Sequence, residues 1–323
     1  IPFCPTRCLY CSFTSYPIGV YKDKVDAYLD TMEKEMEYVA ASYTEKKLVS
    51  IYIGGGTPSS ISAEQMDRLC NMIEKHFDLS QVREYTIEAG RPDSTTADKL
   101  QVMKAHGVGR ISINPQTMNG ETLKLIGRAH TPEQAEEAFK RAREAGFDNI
   151  NMDLIVGLPG EDAEMVKRTL EKVKKLAPES LTVHTLAIKR AAHLKQEMDK
   201  YSFAGDVDEQ LSLVGQAAEE LGLAPYYLYR QKNMAGNLEN VGYARHGLEC
   251  LYNILIMEER TDIIGIGAGS SSKLIRREGD SDPVTGEMIT GTRIDRVENC
   301  KSVDDYIARI DEMIDRKKQA FAK

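Results

Sequence analysis

Apolar residues along the chain switch repeatedly between two periods. Short β-branched runs at residues 49–54 (VSIYIG), 84–89 (EYTIEA), 110–114 (RISIN), 149–157 (NINMDLIVG) and 180–188 (SLTVHTLAI) read as strands, with residues 1–3 as the stump of another. Between them lie helical stripes. Val25, Tyr28, Leu29, Met32, Met36, Val39 and Ala40 fall three and four apart among charged residues, and the segments 62–77, 95–106, 131–145 and 161–176 follow the same rule. Thr131 before Pro132, and Ser94 or Thr95, are the expected N-caps. Strand, helix and strand at this spacing imply parallel pairing, because parallel neighbours need a crossover of about a dozen residues or more. Six such units predict a partial (β/α)6 barrel; a doubly wound open sheet fits the same periods, and candidate site residues at several strand ends favour the barrel.

Beyond about residue 195 the pattern loosens. A helix at 208–221, an aromatic run at 226–229, a glycine-rich turn at 265–269, a hairpin at 288–293 and a last helix at 303–318 are expected. This gives two parts, a barrel over 1–195 and an α+β extension over 196–323. The chain opens at Ile1, three residues before a cysteine cluster, so a segment upstream of Ile1 is expected to be missing.

Composition narrows the class. The 323 residues are 41% hydrophobic and 28% charged, which excludes disordered and collagenous chains. A net charge of −8 argues against non-specific binding to nucleic acid or anionic membranes, and no apolar run reaches membrane-spanning length. Of six cysteines, Cys4, Cys8 and Cys11 are crowded and Cys70, Cys250 and Cys300 are scattered. That placement suggests a metal site in a reducing cytoplasm, with the other three as plain thiols.

Cys4-Pro-Thr-Arg-Cys8-Leu-Tyr-Cys11 has the spacing C-x3-C-x2-C. Three thiolates on one loop can hold three corners of a cubic iron-sulfur cluster and leave one iron open to a small molecule. The alternative is a zinc site completed by a remote histidine. Gly54-Gly55-Gly56-Thr57-Pro58 ends the first full strand, and three glycines there let backbone groups approach a ligand closely. It is not a phosphate loop, and Gly265-Ile-Gly267-Ala-Gly269 is not a dinucleotide turn, because position 270 is Ser; close packing is expected there. The histidines lack ligand spacing.

Together CPTRCLYC and GGGTP resemble the radical S-adenosylmethionine superfamily. The stretches IPFCPTRCLYC, IGGGTPSS, TIEAGRPD, PQTMNGETLKLIGRAHT and INMDLIVGLPGE resemble its oxygen-independent coproporphyrinogen III dehydrogenase branch, and YLYRQKNMAGNLENVGYA with ECLYNI resemble the HemZ-type subgroup. The resemblance implies a partial (β/α)6 TIM-like barrel of the radical SAM type, a 4Fe-4S cluster on Cys4, Cys8 and Cys11, and S-adenosyl-L-methionine on its open iron. It implies cofactor contacts from Tyr10 (adenine), Gly55, Gly56 and Thr57 (methionine end), Glu88, Gln116, Arg128 and Asp153 (polar), and Ile155 and Ala187 (apolar). Without the resemblance, Glu88 reads equally as a strand-end acid, Arg128 as a solvated helix end and Asp153 as a cap; yet most of these positions close strands on one face of the barrel, where parallel folds assemble their sites.

The implied reaction is oxidative decarboxylation of two coproporphyrinogen III propionates to vinyls, giving protoporphyrinogen IX in haem biosynthesis, with an unidentified reductant for the cluster. A substrate with four propionates needs local cations despite the overall −8; Lys189/Arg190, Arg230/Lys232 and Lys273/Arg276/Arg277 are the candidates, with Arg190, Arg230 and Lys232 preferred. Two departures stand out: Ser12-Phe13 follows Cys11 where the dehydrogenases carry a fourth cysteine, and the tyrosine they carry just upstream of the cysteine loop would fall before Ile1. The haem-chaperone branch carries a His-Asn pair and a Tyr-Trp pair near the place of Cys250-Leu-Tyr-Asn253, and the chain has no Trp, which disfavours that branch. Haem chaperoning, and methyl transfer or cyclopropanation with two S-adenosylmethionines, are the alternatives.

Overall fold

The computed structural model describes residues 1–42, 47–186, 205–229, 240–283 and 285–321. Its first strand, β1 (Phe3–Cys4), pairs in parallel with β2 (Tyr16–Pro17). A short helix α1 (Ile18–Tyr21) leads into α2 (Val25–Ser42), whose expected stripe is buried. Then follow β3 (Ser50–Ile53), α3 (Ala63–His76), β4 (Glu84–Glu88), α4 (Ala97–Ala105), β5 (Arg110–Ser112), α5 (Gly120–Leu125), α6 (Pro132–Glu144), β6 (Ile150–Val156), α7 (Ala163–Leu176) and β7 (Ser180–Thr185). The strands β3 to β7 are parallel neighbours in chain order, the curled half-barrel that the alternating periods predicted.

The sixth strand differs from expectation. The stump at residues 1–3 is not hydrogen-bonded into the main sheet as a strand; it pairs with β2, and its carbonyls instead receive N–H groups from the turn after β3. Local caps explain the helix starts. Ser62 and Thr131 form capping boxes with Gln65 and Gln134, and Asp162 caps α7. The N-cap of α4 is Thr96, not Ser94 or Thr95. Those two hydroxyls are used otherwise: both donate to Arg91 O, and Thr95 also reaches Ala89 O.

The extension begins with α8 (Val207–Glu220), then β8 (Ala224–Tyr229) and β9 (Asn240–Ala244), which continue the sheet antiparallel in the order β7-β9-β8. The aromatic run is thus the edge strand, with Leu228 and Tyr229 exposed. After α9 (Leu251–Glu258) comes an antiparallel pair, β10 (Ser271–Arg276) with β11 (Arg293–Glu298). The hairpin expected at 288–293 is therefore wider, and Met288 only bridges Ser281. The single last helix is two, α10 (Val303–Ala308) and α11 (Ile310–Phe321).

These last helices pack on α2 through a continuous core containing Val25, Leu29, Val303, Tyr306 and Met313. Inside that seam Glu35 and Lys317 are fully buried. Lys317 Nζ and Asn299 Nδ2 each donate to Glu35 Oε1 at 2.7 Å, while Gly267 N (2.9 Å) and Tyr306 OH donate to Oε2. The turn at 265–269 is close packing as expected. Gly267 has φ +97°, and a Cβ there would lie 2.7 Å from Tyr28 OH.

Candidate functional site

Loops after β3, β4 and α5 grip the cysteine segment from three sides. From the first, Gly56 N donates to Ile1 O (2.8 Å), Thr57 N to Phe3 O (2.7 Å) and Ser60 Oγ to Phe3 O (3.0 Å), while Thr57 Oγ1 reaches Cys4 Sγ at 3.4 Å. A Cβ on Gly56 would fall 2.8 Å from Phe3 O and 3.0 Å from Cys4 Sγ, and Gly55 has φ +118°. The glycines therefore seat the cysteine strand itself.

From the second side comes Arg91, which the sequence reading did not single out. It is 2% exposed, and its Nε and Nη2 take both Asp93 oxygens at 3.0 Å. Its Nη1 points at Cys8 Sγ (3.5 Å) and Thr6 O (3.4 Å), and Nη2 at Thr6 Oγ1 (3.1 Å). The only sequence signal was the GRPD directly after the TIEA strand. From the third side, Ile126 O accepts from Leu9 N (2.9 Å) and Gly127 O from Thr6 Oγ1 (3.3 Å). Arg128 donates to Tyr10 OH (3.2 Å) and Gly90 O (3.3 Å).

Two acids lie on strands separated by β5: Glu88 ends β4 as expected, whereas Asp153 sits in the middle of β6 rather than at its end. Burial, and then the nearby Asp153, push Glu88 up to about 7, although Tyr52 OH donates to its Oε1 at 2.5 Å. Tyr52, also missed, stacks on Tyr252 of α9 at 4.3 Å. Burial opposes ionisation of Asp153 too, but His184 and the Asn151 amide (2.6 Å) hold it below the usual carboxylate range. Two carboxyls with divided proton affinities can thus meet cationic and hydroxyl donors differently. Burial, followed by Arg128 and Arg91, pushes His130 down to about 3, so its ring is neutral between two guanidiniums.

Gln116, four residues beyond β5, stands at φ 67°; its N donates to Asp153 O and its O accepts from Ile155 N, a parallel bridge that lays the segment after β5 along β6. Its Oε1 and the Arg128 Nε are buried with no partner among the described residues. Ile155 packs with Leu9, Tyr10, Leu123, Ile126, Leu158 and Leu186 in a small apolar cluster separate from the main core. Ala187, Arg190, Arg230 and Lys232 lie outside the described residues, as does Lys189. Lys273 and Arg276 are engaged by Glu259 and Asp295 on the C-terminal pair of strands. The scattered cysteines are packed thiols: Cys70 accepts from Tyr85 OH, Cys250 precedes α9, and all six described cysteines are unbridged.

The donor set fits an open-iron cluster with a polar organic ligand. Burial raises the Cys4 and Cys11 thiols, and a bound cation would reverse that preference. No three His, Cys, Asp or Glu side chains among the described residues are arranged around one ion position; a cubic cluster asks for separate corners instead. The unpartnered Gln116 and Arg128 atoms and the apolar patch at Tyr10 and Ile155 supply polar and apolar contacts beside that loop.

Comparison with known proteins agrees with this geometry. The profile of the Radical SAM superfamily matches residues 1–173. The chain is 48% identical over 283 residues to the oxygen-independent coproporphyrinogen-III oxidase-like protein HemZ of Bacillus subtilis, covering 86% of this chain and 56% of that protein. It is 33% identical over 275 residues to the heme chaperone HemW of Lactococcus lactis, covering 85% of this chain and 68% of the relative. Among solved structures, the radical SAM coproporphyrinogen III oxidase (HemN) of Escherichia coli superposes with a TM-score of 0.74 at 22% identity, over 97% of this chain and 68% of that one. The chain spans little more than half the length of its HemZ relative.

Proposed function

Because the chain belongs to the radical SAM superfamily, whose cofactors are a 4Fe-4S cluster and S-adenosylmethionine, we propose that it oxidatively decarboxylates coproporphyrinogen III propionates to vinyl groups. The three-sided grip on Cys4, Cys8 and Cys11, with Glu88 and Asp153 beside it, carries the cofactor half of this reading. The 48% identity to the HemZ relative supports the substrate half.

In this reading Cys4, Cys8 and Cys11 hold the cluster. When bound, the cluster and cofactor supply hydrogen-atom abstraction from an unactivated carbon. Glu88 and Asp153 accept from the cofactor's ammonium and hydroxyl donors, Gln116 and Arg128 pair with its remaining polar atoms, and Gly55, Gly56 and Thr57 contact its methionine end from the turn that seats the cysteine strand. Tyr10 and Ile155, with Ala187, cover its apolar ring, and Arg128 fixes Tyr10. Arg190, Arg230 and Lys232 neutralise substrate carboxylates; replacing each by Ala weakens porphyrinogen binding and leaves cofactor cleavage intact. The barrel over 1–195 carries the chemistry, and 196–323 closes it.

No described helix is long and apolar enough to cross a membrane. The unbridged thiols suit a reducing compartment, for which we propose the cytoplasm.

Anaerobic reconstitution with iron and sulfide, then reductant, S-adenosylmethionine and coproporphyrinogen III, tests the proposal. Vinyl product together with 5′-deoxyadenosine and methionine is expected. Cofactor cleavage without vinyl product points to the methyl-transfer class. A second reading, haem handling, draws on the 33% identity to the heme chaperone relative, and stoichiometric haem binding without decarboxylation would favour it.

A further inference from the structure

We infer that Arg91 is a positioning residue that tunes the cluster, its guanidinium hydrogen-bonding the Cys8 sulfur and favouring the reduced state. This rests on the proposal that Cys8 is a ligand. The side chain is built into place. Its carbonyl accepts from Ser94 N, Ser94 Oγ and Thr95 Oγ1, each at 2.9–3.0 Å. Ser94 Oγ in turn meets Ser59 Oγ at 2.8 Å, and Lys99 Nζ ties Ser59 O (2.7 Å) to Ser94 O (3.2 Å). The guanidinium is then locked edge-on by both Asp93 oxygens, which leaves Nη1 for Cys8 Sγ and Thr6 O.

The guanidinium bonds the Asp93 carboxylate, Thr6 and Cys8, and among the described residues no hydrogen bond is seen from it to a backbone group of its own turn. The Ala89 and Arg91 carbonyls accept from hydroxyls, Gly90 O from Arg128 and Ser94 O from Lys99, whereas a buried Arg91 cation costs desolvation that its single carboxylate only partly offsets. What the guanidinium adds is directed positive charge at a sulfur. Hydrogen bonds to cluster sulfurs and local net charge are among the terms that set reduction potential. The step concerned is uptake of one electron by the oxidised cluster, [4Fe-4S]2+ to [4Fe-4S]1+, from a low-potential one-electron donor. No bond forms or breaks, and Arg91 keeps its protons. Because the reduced cluster is more anionic, an N–H donor on Cys8 stabilises it and raises the potential.

The test uses reconstituted chain without S-adenosylmethionine, titrated with titanium(III) citrate and read by electron paramagnetic resonance. Arg91→Lys retains the charge but loses the fork; Arg91→Gln loses both. At equal iron content the midpoint potential is expected to fall from wild type to Arg91→Lys to Arg91→Gln. Pulsed resonance of reduced wild type grown with 15N-arginine is expected to show a guanidinium nitrogen coupled to the cluster, absent in Arg91→Lys. Should Arg91→Gln fail to load iron, the labelling comparison still decides. A wild-type spectrum indifferent to arginine labelling, or an unchanged midpoint in Arg91→Lys, overturns the inference alone. Full iron loading in Cys8→Ala overturns the ligand assignment and the inference with it.

Discussion

Replacing Gly56 by alanine tests whether the glycine turn seats the cysteine loop. The added Cβ would lie 2.8 Å from Phe3 O, 2.9 Å from Pro2 C and 3.0 Å from Cys4 Sγ. Two of those atoms are backbone, which no rotamer change withdraws. Relief requires residues 2–4 to move off the turn, and that movement breaks the bonds from Gly56 N to Ile1 O and from Thr57 N to Phe3 O. Overpacking of this kind costs about 1–3 kcal/mol. At a central value of about 2 kcal/mol, the seated loop is disfavoured about 30-fold, since about 1.4 kcal/mol is a factor of ten.

The expected result is a severalfold loss of iron and sulfide per chain after anaerobic reconstitution. The melting temperature of the metal-free chain should fall by no more than about 5 °C, because a few kcal/mol is spread over a long cooperative unit. Gly54→Ala is the control. Its Cβ meets Tyr52 Cε1 at 2.9 Å and Glu88 Oε1 at 3.0 Å, which are side-chain atoms. It should therefore retain iron and weaken S-adenosylmethionine binding. Full iron content in Gly56→Ala, or equal iron loss in both variants, would refute the reasoning.

Glu88 carries a pH signature. Its folded value is raised to about 7 from an ordinary 4.5, so its stabilising contribution is complete below about pH 4.5 and is lost as pH rises through about 7. Glu88→Gln should therefore be the more stable apo chain at pH 8, the difference closing below pH 4.5 in urea titrations, and it should abolish the decline in cofactor affinity that wild type shows as pH falls through 7. Tyr52→Phe removes a bond that lowers that value, so the affinity midpoint should move to higher pH in calorimetric titrations. Lys317→Met leaves the Glu35 carboxylate buried without its cation, which should cost about 3–5 kcal/mol in chemical denaturation; a loss below about 1 kcal/mol would show that the seam tolerates the unpaired charge.

The parallel sheet was legible because β3 to β7 and their helices follow clean periods, and capping residues such as Thr131 stand where helices begin. The cysteine loop was legible from spacing. What escaped has physical causes. The stump at residues 1–3 was expected, but not that β1 would pair with β2 outside the main sheet; it spans two residues, and its partnership with 54–57 is made by backbone groups that carry no side-chain signal. Ser94 and Thr95 have the composition of a helix cap, but their hydroxyls close the turn that presents Arg91, a competition that short polar side chains invite. Arg91 itself follows a strand end like many solvated arginines, and only the fold shows it aimed at Cys8. The division of the last helix at Arg309 breaks no apolar stripe, so periodicity passed over it.

Strand β4 links the extension to the acid at the site. Side chains two residues apart share a face of a strand, so Glu84, Thr86 and Glu88 point the same way, with Glu84 about 13 Å from Glu88 along the strand. Glu84 accepts from Leu251 N (2.5 Å) and Tyr252 N (3.1 Å), fixing the start of α9. Tyr252 then lies on Tyr52, and Tyr52 donates to Glu88. The carboxylate that anchors the extension and the carboxylate whose proton affinity the extension shapes are thus two steps apart on one strand. A shift of α9 would uncover Tyr52, admit water to Glu88 and lower its proton affinity toward the ordinary value. The extension is therefore part of the site's electrostatics through α9, and it is held a second time where α11 meets α2 by the buried Glu35–Lys317 pair.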